Sequence, residues 1–527
     1  MSDSLTTLPK DLYTAAQVRQ LDSIAMAEFG YAGFELMQSA ANVAFQEILE
    51  RWPQTRFLRI LAGSGNNAGD GFLCASLAAK QGLACEVVAV GDLSKLGADA
   101  KKAYQEAINL NVAVITLQDY LHDDRSRPHC IEVDALLGIG LDREVSGDYA
   151  RAITLINQSE NPVVSIDIPS GLSADTGMPL GQAVLADVTV TFIGMKRGML
   201  TGLGRDYCGD ILFSDLGVSE LVHQSASAPN SAAHRIDINF VSKYLSARQP
   251  SSHKGINGHV IVIGGDTRYG GAAILCAQAA LRSGAGKVSV IGRTCHRAPA
   301  LARCPELMWE GTEDFQSNGS EGQDQLDERL TELMSQATAL VLGPGLGRSR
   351  WSQYLFNKTL SMSNATATPV VIDADGLYWL ADKMASGGAK SQQWILTPHP
   401  GEAATMLGVS TGAVQKDRFA TVANLTQNFG GSCLLKGSGS LICHSGSATA
   451  VQLSSEGNPG MATAGMGDLL AGVVGALLGQ GLSRDEALSC GVCIHGEAGD
   501  LAAADKGERG LLASDLLPWL RQLVNPS

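Results

Sequence analysis

The sequence has few aromatic residues, no basic run and no long apolar run. Aromatic residues are 5% of the 527 residues, against 60 glycines, a balance that favours an α/β protein over an aromatic-rich β sandwich. The formal net charge is −14, and without a basic patch neither nucleic-acid nor anionic-membrane binding is expected. The longest apolar run, residues 469–478, is too short to cross a bilayer.

The eleven cysteines include only one CxxC pair, Cys490 and Cys493. Because a second pair is missing, a zinc site is not predicted, and buried thiols in a helix are the preferred interpretation. Scattered cysteines in a large chain are typical of reduced thiols. The N-terminal stretch lacks a basic segment followed by an apolar one, so no signal peptide is predicted. We therefore expect a cytoplasmic protein.

A small, polar, proline-containing stretch, residues 225–233, predicts a linker between domains at 1–224 and 234–527. Each half alternates short apolar runs with helical patterns, which predicts parallel sheets covered on both faces. The predicted strands are residues 57–62, 85–90, 131–133, 163–168 and 188–193, then 259–263, 287–291, 339–342, 370–372, 394–397 and 433–435. In such folds, ligands bind at the carboxyl ends of the strands.

Three of these strand ends in the first half carry polar residues. The first strand leads into a glycine-rich turn, residues 63–71 (GSGNNAGDG), whereas later strands lead into Asp134, Asp167 and Ser170. Each aspartate alone could be a turn former or a helix cap. Together, Asn67, Asp134 and Ser170 offer oxygen ligands, which suit a hard cation. Asp167 is then available for acid–base chemistry.

Four strand ends in the second half have a similar character. A glycine–proline turn at 343–347 leaves room for a flat ligand, and Asp373 and Asp375 follow the next strand, where one of them could cap a helix. His399 lies between two prolines and is interpreted as a substrate contact. Lys436 and its small-residue turn suit a nucleotide phosphate, although a surface hairpin would have the same pattern.

The most specific segment is GNPGMATAGMGD, residues 457–468, which opens an apolar helix at or near Asp468. Gly465 and Gly467 would expose backbone N–H groups at the positive end of this helix, forming an anion hole. Asp468 could be a simple cap. Beside an anion hole, however, the same carboxylate can deprotonate a hydroxyl as it attacks a phosphate.

The first-half motifs GSGNNAGDG, DALLGIG and SIDIPSG resemble the N-terminal, epimerase domain of the bifunctional NAD(P)H-hydrate repair enzymes. That resemblance implies a Rossmann-like α/β/α domain that epimerises the hydrate at its hydroxyl-bearing ring carbon. It implies a potassium ion on Asn67, Asp134 and Ser170. Ala68 stands where the family usually has glycine. The implied hydrate-binding residues are Asn66, Asn67, Ala68, Gly69, Asp70, Gly138, Ile139, Gly140, Leu141, Asp142, Arg143, Glu144 and Asp167.

The GxGD pattern resembles the ribokinase-like superfamily, and KGSGS, TPHPGE and GNPGMA narrow the match to the NAD(P)H-hydrate dehydratases. Met466 departs from the family's GGTGD, but both glycines and the aspartate remain. Hydrate contacts are implied for Ala272, Gly345, His399 and Asp468. AMP or ADP contacts are implied for Lys436, Gly437, Ser438, Gly439, Ser440 and Gly467.

These resemblances imply repair of NADHX and NADPHX, with ADP as co-substrate (ATP is not excluded), magnesium at the transferred phosphate, and AMP and phosphate as products. We expect a homo-oligomer. Two alternatives remain at this point: a vitamin-precursor kinase fused to a regulatory domain, and a silent N-terminal binding module. Lys196, which follows a strand, is interpreted as either a pyrophosphate contact or a solvated surface lysine.

Overall fold

The computed structural model describes residues 8–121, 127–313, 319–446 and 451–525. The chain divides into two compact units, Met1–Arg235 and Ile236–Ser527. The predicted linker at 225–233 follows the helix Ser219–Gln224 and runs into the strand Ala233–Ile236. The domain boundaries drawn at 224 and 234 stay predictions.

The first unit contains ten strands and eight α-helices among its described residues. The strands are β1 (Asp11–Tyr13), β2 (Phe57–Ala62), β3 (Ala84–Ala89), β4 (Ala113–Thr116), β5 (Cys130–Ala135), β6 (Val163–Ile166), β7 (Val188–Phe192), β8 (Met195–Lys196), β9 (Asp210–Ser214) and β10 (Ala233–Ile236). The helices are α1 (Ala15–Phe29), α2 (Gly33–Arg51), α3 (Asn66–Lys80), α4 (Ala98–Asn109), α5 (Leu117–Leu121), α6 (Gly147–Gln158), α7 (Gly204–Cys208) and α8 (Ser219–Gln224).

Seven of these strands form one parallel sheet in the order β4-β3-β2-β5-β6-β7-β9. This is the strand order of a Rossmann-like fold, in which ligands bind where the order reverses. Here the reversal lies between β2 and β5. The fully buried β5, β6 and β7 need apolar cover on both faces. The sheet therefore places the loops after β2 and β5 side by side.

The second unit contains nine strands and twelve α-helices among its described residues. The strands are β11 (His259–Ile263), β12 (Lys287–Arg293), β13 (Met308–Thr312), β14 (Ala339–Leu342), β15 (Val370–Ile372), β16 (Trp394–Leu396), β17 (Ser432–Leu435), β18 (Ser440–His444) and β19 (Val451–Ser454). The helices are α9 (Ile238–Val241), α10 (Gly270–Arg282), α11 (Arg297–Arg303), α12 (Gly319–Ser335), α13 (Arg350–Thr366), α14 (Asp375–Ala385), α15 (Pro400–Leu407), α16 (Thr411–Lys416), α17 (Arg418–Phe429), α18 (Met466–Gly479), α19 (Arg484–Lys506) and α20 (Leu517–Leu523).

The sheet of the second unit runs β13-β12-β11-β14-β15-β16-β17-β18-β19. Its strands are parallel from β13 to β17, whereas β18 and β19 join antiparallel. The predicted parallel sheet is therefore correct for six strands and lacks β13 and this hairpin. The apolar helix α18 is buried along almost its whole length. Cys490 and Cys493 are both buried within α19, as interpreted from the sequence.

Local sequence signals account for several helix ends. Thr14 and Gln17 form a capping box at the start of α1, and Gly30 ends that helix in the left-handed conformation. Ser483 and Glu486 form the same box at α19. Within the described ranges, no helix is both long and apolar enough to span a membrane.

Candidate active sites

A cavity of about 990 Å³ opens at the strand-order reversal of the first unit. Eleven of the thirteen predicted hydrate-binding residues line it: Asn66, Asn67, Asp70, Gly138, Ile139, Gly140, Leu141, Asp142, Arg143, Glu144 and Asp167. The other two, Ala68 and Gly69, are buried in α3 and do not line the cavity. A Cβ on Gly69 would lie 2.5 Å from Met37 Sδ, so this glycine permits close packing of α3 on α2.

Helix α3 begins at this cavity. Its N-cap, Gly65, makes no side-chain cap hydrogen bond, so the first N–H groups of the helix are available to an anionic group of a ligand. Ala68 lies in the first turn of α3 and is not among the residues with positive φ. The methyl group that replaces the family's usual glycine therefore causes no backbone strain.

The three predicted cation ligands meet beside the cavity. Ser170 Oγ donates a hydrogen bond to Asp134 Oδ1 at 2.6 Å, and Asn67 Nδ2 donates to the Leu137 carbonyl at 3.2 Å. Asn67 Oδ1 is buried without a hydrogen-bond partner. Asp134 is fully buried, and burial raises its pKa despite the hydrogen bonds from Ser170 and Ser165. A buried carboxyl group beside an orphaned amide oxygen fits a bound cation.

Lys196 corrects both sequence interpretations, because it is neither a pyrophosphate contact nor a surface lysine. Its side chain is 0% exposed and forms a salt bridge with Asp167. It also donates to Thr191 Oγ1 at 2.8 Å and to the Phe192 carbonyl at 3.1 Å. Asp167 has φ +69, a conformation that costs a non-glycine residue energy and is concentrated at functional sites. Lys196 therefore fixes the position of the Asp167 side chain.

In the second unit, Lys436 is the centre of a compact charge cluster. Its Nζ lies 2.8 Å from Asp373 Oδ1 and 3.9 Å from Glu402 Oε2. Burial lowers the pKa of Lys436, but Asp373 and Glu402 outweigh that effect and the net shift is upward. The lysine follows β17, whereas Asp373 follows β15. The cluster thus forms where parallel strands end at one edge of the sheet.

The start of α18 lies against this cluster. A Cβ on Gly467 would be 3.1 Å from Lys436 Nζ and 3.4 Å from Asp373 Oδ2. The N-cap, Gly465, has φ +93 and makes no side-chain cap hydrogen bond, which leaves the first N–H groups of the helix available. Asp468 is in this first turn but is not the cap. Burial, followed by repulsion from Asp373 and Glu402, raises the pKa of Asp468 to about 7.

The predicted phosphate turn, residues 436–440, rests on a buried arginine. Arg418, on α17, donates to the carbonyl oxygens of Leu435, Lys436 and Gly439, each at 3.3 Å. Burial lowers the pKa of Arg418 to about 10. Gly437 and Gly439 have φ +138 and +60, so the turn requires glycine at both positions. Arg418 therefore holds the carbonyl groups on one side of the turn.

His399 is the N-cap of α15. The ring Nδ1 of His399 accepts hydrogen bonds from the backbone N–H groups of Gly401 and Glu402 at 3.0 and 3.3 Å. The backbone N–H of His399 donates to Glu402 Oε2 at 2.7 Å. Its side chain is 56% exposed. The cap explains the position of His399, and its exposed ring can still reach a ligand; substrate contact stays a prediction.

The two remaining predicted hydrate contacts, Ala272 and Gly345, are both close to Tyr269. The Ala272 N–H donates to the Tyr269 carbonyl at 3.3 Å, and a Cβ on Gly345 would be 2.3 Å from the same oxygen. Tyr269 itself is 54% exposed. The loops after β11 and β14, where the strand order of this sheet reverses, are therefore packed together.

Sequence reasoning missed several residues of these sites. Asp373 was identified only as one of two carboxylates after a strand, and Glu402 only as part of the TPHPGE motif. No sequence pattern indicates a role for Arg418, because a single arginine in a helix has no distinctive spacing. In the first unit, Asp22 also lines the cavity. These residues come from distant parts of the chain, so only the fold brings them to the sites.

Comparison with known proteins gives matches over both units. Residues 33–198 match the family described as YjeF-related protein N-terminus, and residues 260–521 match the family described as NAD(P)H-hydrate dehydratase. A bifunctional NAD(P)H-hydrate repair enzyme of Coxiella burnetii is 40% identical, covering 98% of this chain and 99% of that one. One of Vibrio cholerae is 39% identical, covering 99% and 100%. A ribokinase-like superfamily protein of Enterococcus faecalis, a solved structure, is 26% identical with a TM-score of 0.48 and covers 56% of this chain and 98% of that one.

Proposed function

The chain belongs to the bifunctional NAD(P)H-hydrate repair enzymes, and from this premise we propose how its residues carry out the two reactions. Family membership over nearly the full length confirms the resemblance drawn from the motifs. It also decides against the vitamin-precursor kinase, because the relatives that match both units are named bifunctional NAD(P)H-hydrate repair enzymes. The first unit is the epimerase and the second the dehydratase.

In the epimerase, (R)- and (S)-NAD(P)HX bind in the cavity at the end of β2 and β5. The open N-terminus of α3 suits a phosphate of the dinucleotide, and the predicted contacts at 138–144 line the same cavity. Asp167, paired with Lys196, acts at the hydroxyl-bearing ring carbon as an acid–base residue. The salt bridge with Lys196, made by a residue that lines the cavity, is the observation that supports this role.

Potassium fits the pocket formed by Asn67, Asp134 and Ser170. The orphaned Asn67 Oδ1 and the buried Asp134 carboxyl provide oxygen atoms for a hard cation. When bound, the ion would supply positive charge that keeps Asp134 ionised and fixes the loop after β5. The Asn67 side chain is positioned for this by its hydrogen bond to the Leu137 carbonyl.

In the dehydratase, Asp468 accepts the proton of the ring hydroxyl as the hydroxyl oxygen attacks the terminal phosphate of ADP. A pKa of about 7 suits a general base near neutral pH. The N–H groups at the start of α18 stabilise the charge on the transferring phosphoryl group. Phosphate then leaves from the ring carbon as the electron pair of the ring nitrogen forms a C=N bond. Loss of a proton from the neighbouring ring carbon returns that pair to nitrogen and gives NAD(P)H, with AMP and phosphate as the other products.

The nucleotide binds at Lys436 and the turn that follows it. Lys436 supplies positive charge, and the glycine turn, whose carbonyl groups accept hydrogen bonds from Arg418, supplies N–H donors. Magnesium is bound by nucleotide phosphates together with one or two carboxylates, and Asp373, Glu402 and Asp468 are the carboxylates at this place. It would supply further neutralisation of the transferred phosphate.

The proximity of Asp468, Lys436 and the free helix N-terminus carries the dehydratase assignment. A paired experiment on purified epimers tests both halves. Asp468→Asn should stop NADH formation from (S)-NADHX with ADP. Asp167→Asn should stop enzymatic use of (R)-NADHX while sparing the S form. NADH formation by Asp468→Asn at the wild-type rate would refute the base assignment, and normal use of the R form by Asp167→Asn would refute the epimerase assignment.

A further inference from the structure

Asp22 lies in the epimerase cavity although no motif pointed to it. It is on α1 and lines the cavity together with Asp70 and Asp167. Helix α1 packs closely on the connection between β7 and β8, just before Lys196. A Cβ on Gly194, two residues before that lysine, would lie 3.0 Å from Val18 Cγ2 and 3.3 Å from Leu21 Cδ1. This packing brings the next residue of α1, Asp22, to the Lys196–Asp167 pair.

Around the Lys196–Asp167 pair, carboxyl groups outnumber ammonium groups. Three carboxyl groups, those of Asp22, Asp70 and Asp167, influence one another, and one ammonium group, that of Lys196, is close to them. The lysine already donates to Asp167, Thr191 and the Phe192 carbonyl, which uses its three hydrogens. Lys196 therefore has no hydrogen left to donate to Asp22.

Asp22 has the properties of the acid in such a group. Its carboxyl makes no hydrogen bond to another described residue, and burial raises its pKa to about 6, with Lys196 lowering it and Asp167 raising it. The other charged side chains that line the cavity are Arg19, Asp92, Lys95, Asp99, Asp142, Arg143 and Glu144. Asp167 is paired with Lys196 whereas Asp22 is not, and two carboxyl groups in such different surroundings can serve as a base and an acid.

We propose that Asp22 is a second acid–base residue of the epimerase, donating a proton to the departing hydroxyl while Asp167 receives one on the opposite ring face. This deepens the proposed function and rests on it. The hydroxyl leaves as water as the ring nitrogen's electron pair forms a C=N bond. Water then adds to the opposite face, returning that pair to nitrogen and giving its extra proton to Asp167. The roles exchange in the reverse direction, as an enzyme that handles both epimers requires.

The test uses the full-length protein and pure (R)-NADHX, with loss of the R form measured against the uncatalysed rate. Asp22→Asn should lower the epimerisation rate by about 10²–10⁴-fold, the usual contribution of general acid–base catalysis. Asp22→Glu, which keeps the carboxyl group, should recover part of that loss. Glu28→Gln, an exposed acid on the same helix, is the matched control and should retain the wild-type rate.

The same samples separate the possible failures. Each variant should still convert (S)-NADHX to NADH with ADP at the wild-type rate, and a thermal melt should show the first unit folded. If wild type does not consume (R)-NADHX above the uncatalysed rate, the proposed epimerase function fails. If wild type does and Asp22→Asn matches it, or if Asp22→Glu is as inactive as a folded Asp22→Asn, the role of Asp22 is refuted.

Discussion

Replacing Asp468 with asparagine should remove dehydratase activity and stabilise the second unit at the same time. The pKa of this carboxyl is raised from its ordinary 3.8 to about 7, first by burial and then by Asp373 and Glu402. The folded state therefore holds the proton more tightly than the unfolded state. As pH rises from about 4 to 7, the unfolded chain gains more from ionisation, and the stability of the wild type falls. Above about pH 7 this loss is constant.

The magnitude follows from the size of the shift. About three pKa units at about 1.4 kcal/mol each give an upper limit of about 4 kcal/mol at pH 8. We expect Asp468→Asn to raise the free energy of unfolding by about 2–4 kcal/mol at pH 8 and to change it hardly at all at about pH 4. Urea unfolding followed by tryptophan fluorescence measures this, because five of the six tryptophans are in the second unit: Trp309, Trp351, Trp379, Trp394 and Trp519.

Asp485→Asn is the matched control, since Asp485 is also in the first turn of a helix in the second unit. Burial would raise its pKa, but hydrogen bonds with His444 and Ser432 outweigh burial and lower it. This variant should lose stability above about pH 4 and keep its activity. If Asp468→Asn is no more stable than wild type at about pH 8, the proposed electrostatic strain at Asp468 is wrong. If it retains activity, so is the base assignment.

Three further predictions concern the other parts of the two sites. Lys196→Met should destabilise the first unit by about 3–5 kcal/mol, because removal of one partner leaves a buried charge unpaired; urea unfolding of the wild type and variant would show equal stability if the salt bridge is unimportant. Asn67→Ala should raise the KCl concentration that gives half-maximal epimerisation, and an unchanged KCl dependence would remove Asn67 from the cation site. Lys436→Ala should raise the KM for ADP by at least about tenfold, the equivalent of one charge-assisted hydrogen bond, and an unchanged KM would place the nucleotide elsewhere.

The sequence predicted the central strands and the loops that follow them because the signals there are local. Phe57–Ala62 and Val370–Ile372, for example, were predicted with their observed bounds. A central strand of a parallel sheet is buried on both faces and reads as a continuous apolar run. Glycine-rich turns directly follow such runs, so the positions of Asn67, Lys436 and Asp468 could be predicted as strand-end or helix-start sites.

The strands that were missed lie mainly where that signal is weak. β4, β9 and β13 are outermost strands of their parallel arrays, and each has exposed or half-exposed positions. An edge strand lacks a continuous apolar run, because one side of it faces solvent or a loop. The antiparallel strands β18 and β19 were not predicted either. The turn of small residues before β18 was interpreted as a phosphate site, with a surface hairpin left as the alternative.

The partners of charged residues could not be predicted from local patterns. Lys196 follows an apolar strand as a surface lysine would, and only the fold places its ammonium against Asp167. Asp22 belongs to a helix with no chemical motif, and Asp373 was one of two equivalent carboxylates after a strand. The structure distinguishes those two, since Asp373 pairs with Lys436 whereas Asp375 accepts from the Gly347 N–H and pairs with Arg348.

The most direct test of the account is the stoichiometry of the wild-type reaction. The full-length protein is given a known mixture of (R)- and (S)-NADHX with excess ADP and magnesium, and NADH, AMP and phosphate are measured at completion. The account predicts that both epimers disappear and that the three products form in equal amounts. NADH formation that stops when the S form is exhausted would contradict the epimerase, and a stable phosphorylated hydrate with no NADH would contradict the dehydratase.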